Sequence, residues 1–210
     1  MDIARGGVTR PGNRTRLTNC FSQICISMIS SRRLDNVDDQ QLWDRSFRRL
    51  KALYSALPQE AKSGLTELLV RYCQTKEALA AVTAGINASS VCRQCGGQCC
   101  LNGKYRINVF DTLGFIKREV FPSIDFAQKP LCPYGSHDGC SLEPALRPSD
   151  CIKFICEELD EQLSSQSIEI LAAGEQCLRN CIEQASRLTG EPLRTPLLLW
   201  TEKQRLFNIQ

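Results

Sequence analysis

Between Lys129 and Asp150 the chain carries Pro130, Pro133, Gly135, Gly139, Pro144 and Pro148, and neither a long helix nor a central strand can run through that composition. The segment must be irregular, with too little apolar surface to hold itself together. Its cysteines offer what packing does not. Eight of the thirteen cysteines lie between positions 92 and 156, as Cys92-x2-Cys95-x3-Cys99-Cys100, then Cys132-x7-Cys140, then Cys151-x4-Cys156. Short loops between paired thiolates let two sulfurs face one ion without strain, which is what a soft metal site requires. Ligation would also cross-link loops that cannot otherwise pack.

Disulfides are the competing use of so many thiols, and the compartment decides between them. An apolar stretch from Phe21 to Ile29, preceded by Cys20, is diluted by Ser22, Gln23, Ser27 and Cys25, and no small-x-small cleavage site follows it. Without an export signal a cytoplasmic, reducing setting is expected, where grouped cysteines bind metal or do redox work more often than they form disulfides. Arg5, Arg10, Arg14, Arg16, Arg32 and Arg33 face only Asp2 in residues 1–33, which reads as a disordered leader, or as an over-extended frame with translation starting at Met28. Over the whole chain charge is balanced: 26 basic and 23 acidic residues give +3, too even to advertise nucleic acid. No run approaches the roughly 18 to 20 apolar residues of a membrane span.

On both sides of the cysteine region the apolar residues have helical spacing. Trp43, Phe47, Leu50, Tyr54 and Leu57 alternate by four and three and end at Pro58; Leu65, Leu68, Tyr72, Leu79, Val82 and Ile86 continue, missing only Thr75 and stopping near Gly85 and Asn87. These predict an antiparallel helical hairpin over residues 34–88, with Cys73 buried and inert. Within the cysteine region, residues 89–160, Asp111 is placed to cap a short helix holding Leu113, Phe115, Ile116, Val120 and Phe121, closed by Pro122. Residues 161–210 hold a helix from Ser164 to Leu188, with Leu171, Leu178, Cys181, Ala185 and Leu188 along one side and Gly190 as its stop. An apolar tail follows, with Leu197, Leu198, Leu199 and Trp200. The expected class is mainly α: a helical hairpin, a metal-stabilised irregular segment and a C-terminal helix.

Eight thiolates suit two closed four-sulfur zinc sites, one zinc site with spare thiols, or a [4Fe-4S] cluster with four ligands left over. Cys99 and Cys100 are adjacent, so they serve two ions more easily than one. Cys132-Pro133 is shared with ferredoxin motifs, but the preceding spacing does not match theirs.

Cys92, Cys95, Cys99 and Cys100, then Cys132, Cys140 and the Arg147-Pro148-x-x-Cys151 element, resemble the YkgJ-type cysteine-cluster family over about residues 90–157. That family's first element reads C-x-x-C-x-x-C-C, whereas here Gly96, Gly97 and Gln98 separate Cys95 from Cys99, and the usual tyrosine ahead of the arginine-proline pair is absent. The resemblance implies zinc or iron chelation. A related arrangement in flagellin lysine methylases makes an enzyme conceivable, but no acid, base or nucleophile constellation accompanies the thiols and no glycine-rich nucleotide loop follows a strand. Three functions therefore compete: a metal-binding protein with a redox-active or transferable centre, a zinc-stabilised module whose helical hairpin binds a protein partner, and a component of protein modification.

Other residues carry weaker signals. His137, the only histidine, could replace a thiolate, although Cys132 and Cys140 flank it as better ligands. Arg147 could offset thiolate charge or pair with Asp150. Cys177 and Cys181 share a helix side, which suits ligation or core packing. Cys156, in an apolar context, fits an eighth ligand or a core position.

Overall fold

The computed structural model describes residues 39–95, 98–101, 103–128, 132–136 and 139–201. The expectations for the leader, for Met28, Cys20 and Cys25, and for His137 lie outside the described residues. The architecture is mostly helical, and among the described residues no helix is long and apolar enough to cross a membrane.

The helix α1 (Asp39–Ala56) buries Leu42, Trp43, Ser46 and Leu50, while Phe47, Tyr54 and Leu57 are only half-buried. After Pro58 the chain turns into α2 (Gln59–Gly85), which buries Leu65, Leu68, Leu69, Tyr72, Cys73, Lys76 and Leu79. The apolar stripe that breaks at Thr75 is completed one residue later by a lysine. Asn87 then adopts the left-handed conformation (φ 55°) and the chain re-enters a short helix, α3 (Ala88–Gln94), which carries Cys92.

The helices α1 and α2 do follow one another around Pro58, joined by Lys62 Nζ donating to the Ser55 carbonyl (2.8 Å). Their main partners, however, are elsewhere. The helix α2 packs along α7 (Ser165–Thr189), whereas α1 packs on α4 (Val109–Arg118). The reason lies at Gly174 of α7, where a Cβ would overlap the Leu79 side chain; its absence lets the two long helices approach. Leu178, Cys181 and Ala185 continue that contact face. Ser164 caps α7 by accepting from the Ser167 N–H (3.1 Å), and Gly190, at φ 70°, ends it as its spacing predicts.

The short helix in the middle of the chain starts earlier than expected. Asn108, not Asp111, is its cap: Asn108 Oδ1 accepts from the Asp111 N–H (2.7 Å), and Asp111 Oδ2 accepts from the Asn108 N–H (3.3 Å), a reciprocal capping box. It also ends earlier, with Glu119 left-handed at φ 55°, so Val120 and Phe121 fall outside it and are exposed. The tail docks as expected. Leu197, Leu198 and Trp200 are buried; the Val109 and Phe110 N–H groups donate to the Thr195 and Leu193 carbonyls, and Leu197 N–H donates to that of Ile107. Trp200 lies under the Arg49 guanidinium (4.5 Å), and the Ser46 and Thr201 hydroxyls meet at 2.6 Å, tying the tail to α1.

Among its described residues the Pro- and Gly-rich segment is irregular, as its composition demands. Its regular parts there are a two-residue antiparallel pair, β1 (Gly135–Ser136) with β2 (Gly139–Cys140), and a 3-10 turn at Pro144–Leu146; the short helices α5 (Ser149–Lys153) and α6 (Glu157–Asp160) follow.

Candidate metal centre

The eight cysteines come from separate short elements. Cys92 sits on α3 and Cys95 just after it, while Cys99 and Cys100 share a 3-10 turn (Gln98–Cys100). Cys132 precedes the turn into β1, Cys140 ends β2, Cys151 lies in α5, and Cys156 precedes α6 as its N-cap residue. All eight are free thiols: Cys132 is buried, Cys95 and Cys140 are exposed, and the others are intermediate. The helix α3 packs against both α6 and β2, which brings the first cysteine element beside Cys156 and Cys140.

Electrostatic neighbourhoods sort the thiols further. Burial pushes the Cys92 thiol up, and so would negative charge on Cys99, Cys95 and Cys156. The hydrogen bond between the adjacent Cys99 and Cys100 lowers Cys99 to about 6 and raises Cys100, which is also opposed by Cys151 and Cys132. Cys132 is raised by burial and then by Cys140; Cys151 is pushed up to about 12 by burial, with Cys132 and Cys140 adding to the effect. Two neighbourhoods result, Cys92, Cys95, Cys99 and Cys156 in one, and Cys100, Cys132, Cys140 and Cys151 in the other. They join at the vicinal pair and again where α3 meets β2.

The donor set, eight unpaired thiols from loops with little packing of their own, fits a soft ion in its chemistry. Gly103 adds a steric observation: a Cβ there would lie 2.8 Å from both Cβ and Sγ of Cys132, so only glycine leaves that sulfur its place. Closure around an ion is a separate matter. Among the described residues no group of three or more His, Cys, Asp or Glu side chains is arranged to hold a metal ion.

Arg106 was not legible as a site residue, yet its charge favours the thiolate forms of Cys99, Cys132 and Cys151, and its guanidinium lies over the Phe154 ring (5.3 Å). Nothing in the Lys104-Tyr105-Arg106 run distinguishes it from a surface cation. Arg147 favours the Cys92 thiolate and donates from Nε to the Leu142 carbonyl (2.9 Å). Asp150 pairs with Lys153 instead (2.8 Å). Cys73 and Cys181 are core residues whose thiols burial pushes up. Cys177 lies 3.4 Å from the Thr75 hydroxyl.

A buried polar network anchors one side of this region. Asp111 Oδ1 accepts from Tyr72 Oη (2.9 Å), Lys76 Nζ (3.2 Å) and the Ser149 N–H (3.2 Å), and Lys76 Nζ also donates to the Arg147 carbonyl (2.8 Å). Lys76 and Asp111 are both essentially inaccessible to water. An ammonium there is tolerable because its partner carboxylate, a carbonyl and the Tyr72 ring face (4.7 Å) surround it. Burial pushes the Asp111 carboxyl up while Lys76 pulls it down. The network thus grips the backbone of Arg147 and Ser149, the residues that lead into Cys151. The chain matches no family model, no curated protein and no solved structure.

Proposed function

We propose that this chain is a metal-binding protein of the YkgJ type, working in a reducing, cytoplasmic compartment, whose cysteine segment holds zinc or an iron–sulfur centre. The observation that carries this reading is the division of eight free thiols into two neighbourhoods meeting at Cys99 and Cys100. Cys99 falls in one set and Cys100 in the other, and four sulfurs per set is the number that closed zinc sites use. Arg106 and Arg147 offset part of the charge that several thiolates bring together. Zinc would act as a cross-link between short elements, and an iron–sulfur centre would add electron transfer. Nucleic acid is not part of the reading, given a net charge of +3.

Elemental analysis and a visible absorption spectrum on protein purified without oxygen test it. Two zinc ions per chain, or iron with acid-labile sulfide, is the expected result. Replacing Cys95 by serine should lower the content of one set and Cys140→Ser that of the other, because serine is a far poorer ligand for soft metals. Protein that carries neither metal, and gains neither on anaerobic reconstitution, ends the proposal.

A further inference from the structure

A cavity of about 240 Å³ opens between α5, the C-terminal half of α7 and the turn that follows it. Leu178 and Ile182 give it an apolar floor, and the buried Asn108 and Ser149 close one wall. Cys151, on the same short helix as Ser149, does not line it.

The charges around the cavity are uneven. Four cations, Lys153, Arg179, Arg187 and Arg194, face two acids, Asp150 and Glu183. Lys153 is neutralised by Asp150 at 2.8 Å, and Arg179 by Glu175 at 3.2 Å. The side chains of Arg187 and Arg194 make neither an ion pair nor a hydrogen bond among the described residues. Arginines on an exposed helix face are ordinarily only solvated. Here two of them, from different elements, border one concave space with an apolar floor, where low-dielectric walls concentrate their field. A guanidinium offers a planar fork of donors that matches phosphate and carboxylate oxygens in pairs.

We propose that this cavity binds a small organic anion, with Arg187 and Arg194 holding its phosphate or carboxylate group and Leu178 and Ile182 lying under its apolar body. The volume falls below the roughly 300 to 1,000 Å³ of drug-sized sites, which limits the ligand to about the size of one ring with its anionic group. The site is separate from the cysteine centre and does not depend on a metal there.

Calorimetric titration of the full chain at fixed ionic strength tests it, with phenyl phosphate and benzoate as the two probes and inorganic phosphate as the anion without an apolar body. One equivalent of phenyl phosphate or of benzoate should bind, more tightly than inorganic phosphate, and whichever binds better identifies the anionic group. The double variant Arg187→Gln, Arg194→Gln should weaken binding at least about tenfold, a loss of about 1.4 kcal/mol. Both side chains are exposed, so the variant keeps its fold, which far-UV circular dichroism verifies. The double variant Arg48→Gln, Lys51→Gln, an equal loss of charge from exposed positions on α1, should leave binding unchanged. The proposal is overturned if neither organic probe binds, if inorganic phosphate binds as well as both, or if the double variant binds as the parent does.

Discussion

The long helices α2 and α7 and the cysteine region between them are built on opposite terms. The helical pair buries Leu65, Leu68, Leu69, Leu79, Leu178, Ile182 and Ala185, an apolar seam that drives the two helices together. Among its described residues the cysteine region has only short elements, a two-residue strand pair and mostly half-exposed thiols. Its firm edge is where α2 reaches into it, through Tyr72 and Lys76 to Asp111, Arg147 and Ser149. Apolar area can hold long helices, whereas turn-rich chain needs polar anchors or ligation.

Metal removal should separate the two regions most sharply. Under a strong chelator, amides of residues 92–156 outside α4 should lose hydrogen-exchange protection, while those in Gln59–Gly85 and Ser165–Thr189 keep theirs. Loss of protection throughout, at the same chelator concentration, would show that the helical pair also depends on the centre and would erase the distinction.

Asp111→Ala comes next, because it strands a buried ammonium and removes the acceptor for Tyr72 and Ser149. Breaking a buried pair in this way costs about 3 to 5 kcal/mol, read as a lower urea midpoint. Replacing both partners, Lys76→Met with Asp111→Asn, should recover part of that loss, since no unpaired charge then remains. If the double variant is as unstable as the single one, the network's hydrogen bonds to Arg147 and Ser149 matter more than its charge pair.

Two glycines allow the same substitution in each region. Gly174→Ala forces a methyl against Leu79, and overpacking of this kind costs about 1 to 3 kcal/mol; metal content should not change. Gly103→Ala places the methyl against Cys132 and should lower metal content, with a smaller effect on the unfolding midpoint. Equal metal loss in both variants would mean that the centre responds to general destabilisation and that the Gly103 cradle has no special role.

The two regions also differed in how much of them could be read from sequence. The long helices announce themselves through period and caps, and Gly190 marks an end to within a residue. Their partnership did not, because the close approach of α2 to α7 is decided by a missing side chain at Gly174, which no periodicity records. Thr75 broke an apolar pattern that Lys76 in fact completes; a buried cation is intelligible only once Asp111 is seen beside it. The thiols were legible from spacing, but their sorting was not, since Cys151 and Cys156, five residues apart, fall in different neighbourhoods. Arg106 was invisible for the same reason: its meaning comes from what the fold brings next to it.

The smallest effect is expected from the ion pair that mirrors the buried one. Arg118, at the end of α4, meets Glu143 in the loop before the 3-10 turn, and so ties α4 to the stretch that Asp111, on the same helix, holds at Ser149. Both side chains are more than a third exposed, so water competes for each charge and salt screens what remains. Arg118→Ala should cost no more than about 1 kcal/mol, and that small loss should vanish in concentrated salt. Thermal unfolding of this variant at low and high ionic strength makes the check. A cost comparable to that of Asp111→Ala, persisting in salt, would mean that the cysteine region is secured at its surface as firmly as at its buried edge, and that burial is not what separates the two anchors.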